Sequence, residues 1–279
     1  MIEKKDIAIL VVLYNEQPPS YIFDNIGCEI IIIDNTPKRS LAIKGDNIVY
    51  LPLKRNLGIA CALNVGMKKA ISMGKQWAIT MDQDSILPQN MLEAYIDYVN
   101  TTPDRVGVVS PLINMYDGEN RTPKDIATDV KEALTSGSMI NTVIFLEVGG
   151  FKEEMFIDVV DFEFCWNVRR HGYKVVQLRS VVMQHHLGDT IEYKLFGKHL
   201  FYVTNHNKLR QYYMARNMLY LHNIYPEFRP SKLRSLYSWS VGIVKIIFFE
   251  KDRRKKIKAM LLGYKDYKNG TMGECPYNF

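Results

Sequence analysis

A chain of 279 residues is long enough for one large α/β domain, or two small ones, around a sizeable core. Its 47% hydrophobic and 24% charged residues exclude wholesale disorder. The net charge of +6 is unevenly spread: residues 1–200 hold 21 Lys and Arg against 25 Asp and Glu, residues 201–279 hold 15 against 5. A uniformly basic nucleic-acid binder is excluded by that split.

In chain order, Ile7–Leu13, Glu29–Ile33 and Gln76–Met81 read as buried parallel strands, being short apolar runs closed by polar loops. Between the second and third, Asn56-Leu57-Gly58 precedes Ile59, Leu63, Met67 and Ile71, an amphipathic helix with Asn56 as its cap. Strand–helix–strand order implies a right-handed parallel sheet with helices on its faces. A helix is expected over 89–100, strands over 106–110 and 133–140, and a polar loop over 117–129. A helix over 160–171 and a strand over 174–185 follow, and the pattern reads as helical from about Leu195. The change in charge and periodicity near 200 divides an α/β body, 1–200, from a helical basic extension, 201–279, read as an appendage.

Cys28, Cys61, Cys165 and Cys275 show no metal-ligand or disulfide spacing, and a reducing cytosolic setting is expected. The apolar run from Ile7 to Tyr14 lacks a signal-peptide cleavage site. The longest apolar stretch, Leu236–Phe249, is too short to span a bilayer and holds Lys245.

The chemistry-bearing residues sit where strands end. Asp82-Gln83-Asp84-Ser85 follows an apolar strand, so two carboxylates at i and i+2 emerge on one side of an extended chain. Paired hard oxygen ligands at the carboxyl edge of a parallel sheet suit Mg²⁺ or Mn²⁺ and a diphosphate. Such a pair also serves as a turn cap. Asp34 ends another strand, where a carboxylate accepts from a base or ribose, and Tyr14 with Asn15 adds an aromatic face beside it. Asp161 and Glu163 face different ways if helical: one carboxylate suits a general base, and both suit an acidic first helical turn. The pair His185-His186 closes the last strand.

Together, Val11–Asn15, Ile33–Asn35, Arg55–Ala60, Asp82–Ser85, Phe156–Asp161 and His185–Gly188 resemble, in that order, the motifs of family 2 glycosyltransferases. The likeness is nearest to bacterial rhamnosyltransferases, for Asp82-Gln83-Asp84-Ser85 and for Arg210-Gln211-Tyr212-Tyr213 and Arg216-Asn217 downstream. What the resemblance implies is a GT-A fold and an inverting, metal-dependent transfer from a nucleotide diphosphate sugar. By position Asp34 would read the nucleobase, and Tyr14, Asn15, Asn56, Asp82 and Gln83 would hold the sugar-nucleotide. Asp84 and His185 would hold Mg²⁺ or Mn²⁺, and Asp161 would be the base. Where the subgroup has an arginine this chain has Asn167, with Arg169 as a substitute.

The donor implied is dTDP-L-rhamnose, with a UDP-hexose as the alternative, and the acceptor a bacterial surface glycan, free or lipid-linked. A sugar-phosphate nucleotidyltransferase shares this sheet-edge physics, but its Gly-rich loop is replaced here by Asn15-Glu16-Gln17-Pro18-Pro19-Ser20. In the extension, the aromatic-rich run Leu236–Phe249 precedes Lys251, Arg253, Arg254, Lys255, Lys256 and Lys258. That pattern fits an anionic membrane surface, on the inner face of the cell membrane, and also a core-covering helix with a solvated end. No nucleic-acid motif accompanies the charge.

Overall fold

The computed structural model describes residues 1–24, 26–102, 104–114, 122–184, 190–195 and 198–279. They fall into two compact units, 1–156 with 160–185, and 157–159 with 186–279.

The first unit is built on an eight-stranded, mostly parallel sheet. Its strands are β1 (Ile7–Leu13), β2 (Glu29–Asp34), β3 (Ile48–Pro52), β4 (Trp77–Asp82), β5 (Val106–Asn114), β6 (Ala127–Asp129), β7 (Ser138–Asn141) and β8 (Lys174–Gln184), in the order β3-β2-β1-β4-β7-β5-β8-β6. The β1–β2, β2–β3, β1–β4 and β5–β8 pairs are parallel, whereas β7 runs antiparallel between β4 and β5. Every residue of β1 is buried, as expected of a central strand covered on both faces. Its odd-numbered side chains Ile7, Ile9, Val11 and Leu13 join Ile30, Ile32, Ile79 and Tyr95 in one core.

Helices cover both faces: α1 (Ile59–Ser72), α2 (Met91–Thr101), the short α3 (Thr142–Glu147) and α4 (Val160–Arg170). The cap of α1 is Gly58 and not Asn56, because the backbone there needs a φ of +82°. A Cβ on Gly58 would also lie 2.5 Å from the carbonyl oxygen of Phe156. That carbonyl instead accepts from Ile59 N at 2.7 Å, satisfying a donor that the helix start leaves open. Asn56 accepts from Gly58 N at 3.0 Å and so shapes the turn one step earlier.

The second unit departs from the helical reading of residues after Leu195. A hairpin of β9 (Ile191–Leu195) and β10 (Lys198–Val203) precedes α5 (Lys208–Ile224), α6 (Lys232–Phe249) and α7 (Arg253–Asn269). Tyr193 stacks on Phe201 across the hairpin at 5.3 Å, and Phe249 meets both rings edge-on at 4.9 Å. Arg216, wholly buried on α5, lies against the rings of Tyr212 and Tyr213. Among the described residues, no helix is long and apolar enough to cross a membrane.

Candidate active site

The parallel strands β2, β1 and β4 end side by side, and their register puts the polar residues on one rim. Leu13 is opposite Asp34 and Val12 is opposite Asp82. From β1 the chain passes to β2 and β3 on one side and then crosses through α1 to β4 on the other, so the rim lies at a topological switch point. Two strand spacings, roughly 10 Å, separate the Asp34 and Asp82 positions.

The turns after these strands are tied to each other. Tyr14 N donates to Gln83 Oε1 at 2.7 Å, and Asn15 N to Thr36 Oγ1 at 2.8 Å. Asn15 needs this support because its φ of 58° is left-handed. The Tyr14 ring itself is exposed. Asn35 accepts from Leu57 N at 2.8 Å and donates to Asn56 Oδ1 at 3.0 Å, so the loop leading to α1 is fixed to the end of β2.

Asp34 is wholly buried, yet its carboxylate is charged and saturated. Oδ1 accepts from Thr36 N at 3.1 Å and Arg39 Nη2 at 3.0 Å. Oδ2 accepts from Arg39 Nε at 2.8 Å and Tyr50 OH at 2.7 Å. Burial alone would raise its pKa, but the hydrogen bonds from Arg39, Tyr50 and Thr36 outweigh it and hold the carboxyl below the usual aspartate range.

On β4, Asp82 N donates to Ser136 Oγ at 3.1 Å, and Ser85 N closes a turn on the Asp82 carbonyl at 3.2 Å. Asp82 is half-buried and Asp84 exposed, so the pair presents hard oxygens at the rim. Their partner by resemblance, His185, lies outside the described residues. Tyr21 adds a hydroxyl that is buried with no hydrogen-bond partner among the described residues. Burial first, and then the charge of Asp82, push its phenol pKa up.

Asp161 stands in the first turn of α4, half-buried, with its Oδ1 accepting from Phe162 N at 2.9 Å. Glu163 is wholly buried, so the two carboxylates do face differently. Asn167 donates to the Val148 carbonyl at 2.8 Å, tying α4 to the end of α3. Arg169 is committed to the edge strand, pairing with Asp129 and donating to Val130 O at 3.0 Å. Arg39, Tyr50 and Tyr21 were not singled out by sequence reasoning. The short apolar, β-branched and aromatic run Ile48-Val49-Tyr50-Leu51 is the available signal for β3 and hence for Tyr50.

The description Glycosyl transferase family 2 matches residues 9–158, more than half of the chain and the whole of this rim. The chain belongs to glycosyl transferase family 2. A curated relative, dTDP-rhamnosyl transferase RfbF of Shigella flexneri, is 26% identical over 99% of this chain and 95% of its own. Among solved structures, the mannosyltransferase PcManGT from Pyrobaculum calidifontis, in complex with GDP-Man and Mn²⁺, aligns with a TM-score of 0.56. It is 14% identical and is matched over 96% of this chain and 84% of that one. S. aureus TarS in complex with UDP-GlcNAc aligns with a TM-score of 0.53 at 14% identity, over 95% and 83% of the two chains. The fold is GT-A, and the protein is a glycosyltransferase of nucleotide-sugar donors.

Proposed function

We propose that this glycosyltransferase moves L-rhamnose from dTDP-L-rhamnose to a hydroxyl of a bacterial surface-glycan acceptor, with inversion and with a divalent ion. The observation that carries the reading is the rim itself: Asp34 at the end of β2, and Asp82 and Asp84 at the end of β4, on either side of β1 at a switch point, in a chain related end to end to a dTDP-rhamnosyl transferase.

In this reading the turn of Asp82–Ser85 seats the diphosphate side of the donor, with Tyr14, Asn15, Asn56 and Gln83 around the nucleoside. Asp84, with His185 by resemblance, holds Mg²⁺ or Mn²⁺, which when bound offsets the negative charge that grows on the departing diphosphate. Asp161 takes the proton of the acceptor hydroxyl as its oxygen attacks the anomeric carbon from the face opposite the leaving group. Arg169 serves the substrate side only indirectly, by keeping β6 in place through Asp129.

The same reading places the enzyme in the cytoplasm on the inner face of the membrane, where a lipid-linked acceptor waits. Of the 18 residues of α6 only Ile246 is buried. Leu233, Leu236, Tyr237, Val244 and Phe248 are exposed along one helical stripe, beside Lys251, Arg253, Arg254 and Lys255. Each such cation adds about 1 kcal/mol at an anionic surface. Co-sedimentation with phosphatidylglycerol vesicles is expected, and its loss in a Tyr237→Glu, Phe248→Glu double variant. Wild-type protein that stays in the supernatant refutes the attachment.

The donor is tested by thermal shift with dTDP-L-rhamnose, UDP-glucose, UDP-GlcNAc and GDP-mannose, each with and without Mn²⁺. Ligand that binds only the folded state raises Tm by mass action. The expected result is Mn²⁺-dependent stabilisation by dTDP-L-rhamnose above the others. Stabilisation by a UDP-sugar alone replaces the donor, and stabilisation by none overturns the reading.

A further inference from the structure

We propose that a groove between α5, α6 and α7 of the second unit holds the lipid phosphate of the acceptor, a phosphate or diphosphate ester on one long apolar chain. The inference rests on the acceptor being lipid-linked.

Lys232, Leu236 and Trp239 stand at i, i+4 and i+7 of α6 and so share one face of that helix. With Leu219 of α5 and Tyr264 of α7 they line a groove of about 430 Å³. That is within the roughly 300–1,000 Å³ of ligand sites. Trp239 is half-buried, while Leu236 and Tyr264 are exposed, so the groove leaves apolar surface in water. Covering it with a chain is favourable.

The charge is at one end. Arg229, in the turn between α5 and α6, and Lys232, in the first turn of α6, are both exposed. Neither side chain has a hydrogen bond or an ion pair among the described residues. No Asp or Glu lines the groove. Trp239 is seven residues beyond Lys232, roughly 10 Å along the helix at 1.5 Å per residue. Cations at the head and an aromatic-apolar floor behind them match a phosphate followed by its chain. A single groove suits one chain better than the paired chains of a phospholipid.

The groove adjoins the exposed stripe of α6 that faces the membrane in the proposed function, with Leu236 common to both. A chain drawn from the bilayer there stays out of water. Two other occupants fit less well. The end of this chain is engaged elsewhere, since Tyr277 and Phe279 pack on Tyr212. A second copy in a two-fold contact would set Arg229 and Lys232 against their own like charges.

Isothermal titration with farnesyl diphosphate, in EDTA so that no divalent ion carries the diphosphate to the donor rim, tests the proposal. Wild-type protein is expected to bind it at least about tenfold tighter than inorganic pyrophosphate or farnesol, because head and chain both contribute. An Arg229→Ala, Lys232→Ala double variant should lose about tenfold or more, a hydrogen bond to a charged group being worth about that factor. Its Tm should equal that of wild type, as both side chains are exposed and unpaired. Equal affinity in wild type and variant overturns the proposal, as does binding no tighter than pyrophosphate. Equal or tighter binding of dihexanoyl-phosphatidylglycerol assigns the groove to membrane phospholipid and overturns it too. A wild-type dimer in sedimentation velocity that the variant dissolves puts a second copy there, with the same consequence. The donor reading fails separately: farnesyl diphosphate that binds a protein no nucleotide-sugar stabilises leaves the groove and removes the transferase assignment, and the reverse result removes only the groove.

Discussion

The side-chain amide of Asn217 donates to the backbone carbonyl of Ile157 at 2.7 Å and to that of Asp158 at 3.0 Å, both within the second unit. These carbonyls belong to a segment of unusual backbone. Asp158 has a φ of 65° and Val159 a φ of 67°, and for a β-branched residue that is a strained conformation. Arg210 adds an ion pair to the Asp158 carboxylate. Arg216 orients the Asn217 amide through a 3.0 Å bond to its oxygen, and is itself tied to Gly273 O at 2.8 Å.

Asn217→Ala leaves both carbonyls without this donor and the strain without its restraint. A loss of about 2–6 kcal/mol is expected by urea denaturation, at 1–3 kcal/mol for each of the two orphaned groups. Val159 leads by two peptide bonds to Asp161, so kcat for sugar transfer should fall further than donor KM rises. A variant as stable as wild type shows that the loop holds itself.

Tyr21 carries the opposite expectation. Its hydroxyl is buried without a partner among the described residues, which costs about 1–3 kcal/mol relative to a satisfied or solvated group. Tyr21→Phe should therefore raise Tm by roughly 2–4 °C per kcal/mol recovered. If the hydroxyl meets the donor near Asp82, the same variant binds dTDP more weakly despite being more stable. Calorimetry of the ligand-free protein decides the first point and titration the second. A lowered Tm means that the hydroxyl is satisfied in solution.

Asp34 sets a pH dependence whose sign follows from its pKa. The unfolded residue titrates near 3.8, and the folded one lower, because the bonds from Arg39, Tyr50 and Thr36 outweigh burial. The unfolded state therefore binds more protons between those values, and the contribution is full above 3.8 and lost as pH falls through the folded pKa. Asp34→Asn should cost about 3–5 kcal/mol at pH 7, since Arg39 then faces an amide across a buried contact. The gap between wild type and variant should narrow as urea midpoints are taken from pH 7 toward pH 3. A gap independent of pH excludes Asp34 as the titrating group.

How much of this was legible in the sequence varies with the range of the interaction. β1, β2 and β4 are mostly apolar runs, and the aspartates that close β2 and β4 stand out because an ionised side chain is rarely placed in a buried strand without a partner. β3 was overlooked, since its residues are only half-buried and Pro52 closes it early. With it went Tyr50, whose meeting with Asp34 is set by the parallel β2–β3 register, in which Asp34 lies opposite Pro52. Arg39 is five residues from Asp34, but nothing local to the sequence says that its turn folds back. The helical reading from about Leu195 misses β10, the second strand of the hairpin, because mixed aromatic and basic residues there lack a clean alternation. Asn217 is tied to a carbonyl 60 residues away, a pairing no periodicity encodes.

At two glycines of the second unit, Gly263 and Gly242, one chemical change should act with opposite signs. Gly263 lies in α7 against α5, where an added Cβ would be 2.4 Å from the carbonyl oxygen of Tyr212 and 3.2 Å from the amide nitrogen of Arg216. Both neighbours are backbone atoms within a helix, so neither side can yield without the two helices moving apart. Gly263→Ala should therefore destabilise by about 1–3 kcal/mol, the usual range for overpacking, net of any gain in helix propensity. Gly242 lies inside α6, and an added Cβ meets no atom within 4 Å. Only propensity acts there, and Gly242→Ala should stabilise by roughly 0.8–1 kcal/mol. Urea denaturation of the two variants beside wild type checks both signs. A stabilising Gly263→Ala means that α5 and α7 are not packed at that distance, and the burial of Arg216 between its tyrosines loses its frame.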